Sequence, residues 1–214
     1  MSKPARKQDR RGHYQRPPPM RELRQRFLIV CEGEKTEPNY FRAYRQFASV
    51  FDVDIHGASA DPLSVVNRAN SEVERERQRQ GLSIKKKPYD QVWCVFDRDS
   101  WPTQRFNEAL AQAEKREFKI AYSNQAFELW YVLHFEYLNS SIPRADYIHK
   151  LHILLGEPYV KNSWLMFAKL QNRQQTALKN AERLFGQYAP VSPANDDPST
   201  TVHHLIQQLN RFTL

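Results

Sequence analysis

Short apolar runs with helical patterns between them restrict this chain more than any other feature. Phe27-Leu28-Ile29-Val30-Cys31 and Val92-Trp93-Cys94-Val95-Phe96 contain no polar position. Runs of that length suit strands buried on both faces. Phe51-Asp52-Val53-Asp54-Ile55 alternates and reads as another strand, and Phe118-Lys119-Ile120-Ala121-Tyr122 as a fourth. Between them, Thr36-Glu37-Pro38 resembles a helix start that continues through Tyr40, Phe41 and Tyr44. Asp61-Pro62 offers a cap and a first-turn proline, Leu63, Val66, Asn70 and Val73 give a partial stripe, and Gly81 stops the helix. The charged half of that helix, residues 72–79, is expected to project into solvent. Phe106, Ala109, Leu110 and Ala113 mark a helix over 103–116, and another is expected over 126–134. Strands alternating with helices predict an α/β fold whose mostly parallel sheet is covered on both faces.

Past residue 140 the pattern changes. Segments 145–155, 173–185 and 201–212 look helical, separated by Pro143, Pro158, Pro190, Pro193 and Pro198. The expected organisation is a basic arm without fixed structure over 1–25, an α/β core over 26–140, and a helical C-terminal extension over 141–214 packed on the core. The net charge is +8, and residues 1–26 hold nine Lys or Arg against Asp9 and Glu22. The arm is thus a polycation on a nearly neutral body. It can hold nucleic-acid phosphates without reading bases, with Arg10, Arg11 and Arg16 as contacts, or serve as a solvated leader. Lys85-Lys86-Lys87 is a second phosphate contact or a solvated loop. No apolar run approaches the roughly 18 residues of a membrane span, and no apolar stretch follows the basic start. Cys31 and Cys94 lie in apolar runs, which reads as buried, reduced thiols and a cytoplasmic setting.

The polar residues after each strand carry the chemistry. Glu32-Gly33-Glu34-Lys35-Thr36-Glu37 follows the first strand, Asp97-Arg98-Asp99 the third, and Ser123-Asn124 the fourth, with Glu128 about a helical turn further on. Open parallel sheets bind ligands outside the carboxyl ends of their strands, so this fold gathers the clusters at one edge. Repelling carboxylates gathered there need a counter-charge. Oxygen-only ligands suit Mg2+ or Mn2+ rather than zinc. If the third strand stays extended, Asp97 and Asp99 point the same way. Gly33 lets the backbone bend close to a ligand. Each piece has an ordinary counterpart: an Asp-x-Asp solvated at the surface, Glu32 at a helix N-terminus, Glu128 paired to an arginine. The conjunction of three strand ends favours metal.

Three segments carry a family likeness: Phe27 to Phe41 with its Glu-Gly-Glu-Lys-Thr-Glu-Pro run, Val92 to Ser100, and Ser123-Asn-Gln-Ala-Phe-Glu-Leu-Trp-Tyr-Val-Leu-His-Phe135. Together with the Pro-Ser-Thr-Thr-Val-His segment near the C-terminus, they resemble the RloB-like family over about residues 26–214. That family occurs in bacterial defence loci, often near an ATPase or restriction–modification genes, and is similar to the metal-dependent Toprim domains. Two departures stand out. Gln125 and Ala126 replace the Pro-Cys of the usual third motif, and the Glu32–Glu37 interval is one residue longer than in the related overcoming-lysogeny-type nucleases. The resemblance implies a Toprim-like sheet, with Glu32 as the Toprim glutamate and Asp97 and Asp99 as its paired aspartates. By the same resemblance, Glu37 and Glu128 would match the added carboxylates of the nuclease branch, and Lys161 or Lys169 would supply a cation for phosphate charge.

The leading expectation is therefore a Mg2+- or Mn2+-dependent nuclease hydrolysing DNA or RNA in anti-phage or abortive-infection defence. A second reading is a non-catalytic nucleic-acid-binding subunit whose ATPase partner supplies the work. A third is phosphoryl or nucleotidyl transfer to a small molecule. No Walker A or GxGxxG pattern is present, which disfavours a P-loop or Rossmann nucleotide site. His203 and His204 are expected to face opposite ways on a terminal helix, and the seven histidines form no zinc motif. Phe127, Trp130, Tyr131 and Phe135 have helical spacing and read as core, with base stacking open only to exposed rings.

Overall fold

A computed structural model describes residues 25–47, 51–57, 61–84 and 86–211. Arg10, Arg11, Arg16 and Lys85 lie outside the described residues, as does nearly all of the expected arm.

The first strand, β1 (Gln25–Cys31), shows why an uninterrupted apolar run was needed. Phe27, Ile29 and Cys31 enter one buried cluster, and Leu28 and Val30 enter another. The same alternation governs β3 (Gln91–Asp97), with Trp93 and Val95 on one side and Cys94 and Phe96 on the other. Both are inner strands with packed layers above and below, so neither face tolerates a polar residue. The sheet is completed by β2 (Phe51–Gly57), β4 (Lys119–Asn124) and β5 (Ser199–Thr200), in the order β2-β1-β3-β4-β5. The first four run parallel, and β5 pairs antiparallel with β4 through Ser123–Thr200 and Asn124–Ser199. The α/β architecture with a mostly parallel sheet flanked by helices is as expected.

One face carries α2 (Pro62–Arg79) and α3 (Thr103–Lys115), through Val65, Val66, Ala69, Phe106, Ala109 and Ala113. Asp61 caps α2, its Oδ1 accepting from the Leu63 amide at 3.1 Å, and Gly81 at φ +61° follows the helix end. The charged half of α2 projects into solvent only in part: Arg75, Gln78 and Arg79 are exposed, but two of its glutamates are not. Glu72 and Glu76 are buried, Glu72 against Arg68 and Arg75 at 2.7 Å each, Glu76 against Arg26 at 3.0 Å. Guanidinium partners make that burial tolerable, and a polarity pattern does not show them.

The opposite face carries α1 (Thr36–Phe47), α4 (Glu128–Val132), α5 (Arg144–Leu155), α6 (Met166–Leu170), α7 (Gln174–Phe185) and α8 (Val202–Asn210). A single buried cluster spans Tyr40, Phe127, Trp130, Tyr147, Leu184 and Leu205, so residues before and after 140 share one core. Phe127, Trp130 and Tyr131 are packed inside it, while Phe135 packs against it half-buried under the Arg173 guanidinium. The short α6 and β5 were not anticipated. Two residues of strand within a proline-rich segment leave no periodic signal. Cys31 and Cys94 are buried free thiols. Among the described residues, no helix is long and apolar enough to cross a membrane.

Candidate functional site

The parallel strands end together at Cys31, Gly57, Asp97 and Asn124, and the acidic residues collect at that edge. Glu32, Glu37, Asp97 and Glu128 line one cavity of about 150 Å3, together with Arg144, Lys161 and Asn162. Asp97 is the last residue of β3, Glu32 follows β1, Glu37 lies in the first turn of α1, and Glu128 opens α4.

Glu32 is held at both oxygens. Oε2 accepts from the Asp97 amide at 2.8 Å and Oε1 from the Trp101 indole at 3.1 Å. Burial raises its pKa, against the pull of those two donors and of Arg144. Glu37 is 5% exposed, and its Oε2 is buried without a hydrogen-bond partner. Burial, then repulsion from Glu32 and Glu128, pushes its pKa up to about 7. Asp97, also 5% exposed, is raised by burial and by Glu37 and Glu32, and lowered by Arg144. Glu128 accepts from the Tyr159 hydroxyl at 3.1 Å and lies 4.0 Å from Lys161 Nζ.

Gly33 has a specific task. A Cβ there would run into the Glu37 carboxylate, with its Cδ at 3.1 Å. Gly57, at the end of β2, faces the same turn from the other side, where a Cβ would stand 2.6 Å from Glu34 Cα and 2.8 Å from the Gly33 carbonyl. The turn after Glu32 is thus bounded by two glycines, one within it and one at the end of β2, that admit no side chain without a shift.

Asp99 departs from expectation. The strand ends at Asp97, and Asp99 has φ +37°, so the extended alternation that would align the two aspartates is absent. Arg144 joins them instead, its Nη2 3.5 Å from Asp97 Oδ2 and its Nη1 on Asp99 Oδ2. Of the two candidate lysines, Lys161 reaches the cavity, while Lys169 pairs with Glu157. Lys87 precedes β3, at the far end of the strands from the cavity, and pairs with Glu117 at 2.7 Å. Lys86 is exposed in the same loop.

Sequence reasoning missed Arg144, Trp101, Tyr159 and Asn162. None belongs to a spaced motif, and all reach the edge by tertiary folding. Asn162, at φ +69°, accepts from Thr36 Oγ1 at 2.6 Å through its side chain and from Asn39 Nδ2 at 2.8 Å through its carbonyl. That clasp fixes the 159–162 loop over the start of α1 and sets Lys161 beside Glu128.

The donor set suits a hard dication: oxygen ligands only, more carboxylates than cations to balance them, and an orphaned buried oxygen on Glu37. Arg144 and Lys161 balance part of that charge here. Among the described residues, no three of these carboxylates bring donor atoms all within 4.8 Å of one another.

A family model described as RloB-like protein matches residues 27–209. No curated protein and no solved structure matches the chain.

Proposed function

The chain belongs to the RloB-like family, and on that premise we propose that it is a Mg2+-dependent nuclease (Mn2+ substituting) cleaving phosphodiesters of DNA or RNA in bacterial defence. The observation that supports this reading most is the Glu37 carboxylate. An acidic group buried among Glu32, Asp97 and Glu128, with one oxygen unpartnered, is stabilised by a divalent cation in the cavity they share. Glu32, Glu37, Asp97 and Glu128 would supply ligands to the metal, while Asp99 is paired with Arg144. Bound Mg2+ would lower the pKa of an attacking water and offset charge developing on the phosphate.

The chain's own residues supply the rest. Glu32 is fixed by the Asp97 amide and Trp101, so its remaining lone pairs face a defined direction. Arg144 and Lys161 bring positive charge to an otherwise acidic cavity and are suited to grip phosphate oxygens. The Tyr159 hydroxyl orients Glu128. The basic N-terminal residues would bind the rest of the nucleic acid through its backbone, and an ATPase partner would belong to the same defence system.

The test is a panel of labelled DNA and RNA incubated with Mg2+ or Mn2+. Cleavage by the wild type that falls at least about a hundredfold in Asp97→Asn, the scale of a lost electrostatic stabiliser, is the expected result. Equal cleavage by both proteins rejects the assignment.

A further inference from the structure

A second set of metal-type side chains stands outside the acidic cavity, where α7 meets the corner between β5 and α8. Glu182, His203 and His204 bring one donor atom each to within 4.8 Å of the others. His203 and His204 do not face opposite ways. Their ring centroids lie 4.0 Å apart at the first turn of α8. His203 is 0% exposed, with the Thr200 backbone beside its ring and no ring nitrogen in a hydrogen bond of good geometry. A buried imidazole so poorly satisfied is costly and calls for a partner. Its Nε2 instead lies 3.4 Å from Glu182 Oε2. Two donors about 2.1 Å from one tetrahedral ion are separated by about 3.4 Å.

We propose that Glu182, His203 and His204 form a binding site for a zinc-class divalent transition metal. Two imidazoles and a carboxylate are borderline ligands, unlike the all-oxygen set of the acidic cavity, so the two sites select different ions. Burial keeps both imidazoles in the neutral form that ligates, lowering His203 to about 3 and His204 in the same direction. The Glu182 side chain is 63% exposed, so the ion has a path from solvent and a coordination position is left for water. The ion would tie α7 to the segment that delivers β5 to the sheet edge, and Phe185 walls the site, its ring 5.4 Å from that of His204.

The experiment uses the untagged full chain, freed of metal by chelator and titrated with Co2+ in excess Mg2+. The wild type should bind one equivalent with the visible absorption of a four- or five-coordinate ion, and Zn2+ should displace it and raise Tm. Because His203 is buried, its replacement risks the fold, so Glu182→Gln and His204→Ala carry the test. Each should weaken Co2+ binding by more than about tenfold and abolish the Zn2+-dependent rise in Tm, with the metal-free circular dichroism unchanged. Asp97→Asn, in the other site, should retain the cobalt spectrum. No cobalt absorption in the wild type overturns the proposal, as does an absorption that both variants retain at unchanged affinity.

Discussion

At the scale of single residues, the site is governed by the expense of burying carboxylates beside one another. Glu37 shows the consequence for stability. Its ordinary pKa near 4.5 is raised to about 7 in the folded protein. Between those values the unfolded chain loses the proton and the folded chain keeps it, so stability falls as pH rises, and above pH 7 the penalty is complete. It amounts to about 3 kcal/mol at most. Denaturant unfolding of the metal-free protein at pH 5 and pH 8 should show the loss, and Glu37→Gln should reduce it, the raised Glu32 and Asp97 supplying the remainder. Neighbouring glycines separate two effects. At Gly33 the obstructing atoms are the end of the Glu37 side chain. Gly33→Ala should therefore fold with a stability change under about 1 kcal/mol while displacing that carboxylate and weakening Mg2+ binding, read by calorimetry. At Gly57 the obstruction is backbone, so Gly57→Ala should cost about 1–3 kcal/mol in unfolding experiments. The cavity carboxylates were legible because they follow buried strands or stand in motifs, whereas Lys161 could not be told from Lys169 without the structure. Arg144 and Trp101 were not, since nothing in their local sequence says which strand end they will meet.

At the scale of elements, helix and strand identity followed from periodicity, and misreadings arose where pairing overrides pattern. Glu72 and Glu76 looked like a solvated face and are buried against arginines from α2 and β1. The Asp-x-Asp pair looked extended, but β3 stops at its first member, and the left-handed Asp99 turns the chain aside. Arg144, the first residue of α5, then bridges the two aspartates from a distant segment. Removing it leaves Asp97 buried with weaker compensation. Arg144→Ala should lower metal-free stability by about 1–2 kcal/mol, and saturating Mg2+ should restore more Tm in the variant than in the wild type. An unchanged response to Mg2+ would mean that arginine and metal do not share this charge.

At the scale of the molecule, the residues after 140 are part of what holds the sheet. Tyr147, Leu151, Leu184 and Leu205 pack into the same cluster as β1, α1 and α4, and β5 lengthens the sheet beside β4. A chain ended at residue 140 would expose that cluster. It should aggregate or lack a cooperative thermal transition, where the full chain should show one. On the proposed function, the basic N-terminal residues would add affinity at this scale through counterion release. Deleting residues 1–24 should weaken nucleic-acid binding and flatten its dependence on salt, measured by fluorescence anisotropy. The linear chain already specified the alternation of strands and helices, the two-faced burial of β1 and β3, and the edge at which the acidic residues gather. These follow from side-chain period and strand direction, which are local properties. Long-range packing settled the pairing of β5 with β4, the reach of Arg144 to Asp97 and Asp99, the clasp of Asn162 on α1, and the meeting of Glu182 with His203. Such contacts depend on how separate elements dock, and the spacing of residues along a chain carries no information about distance between segments that only folding brings together.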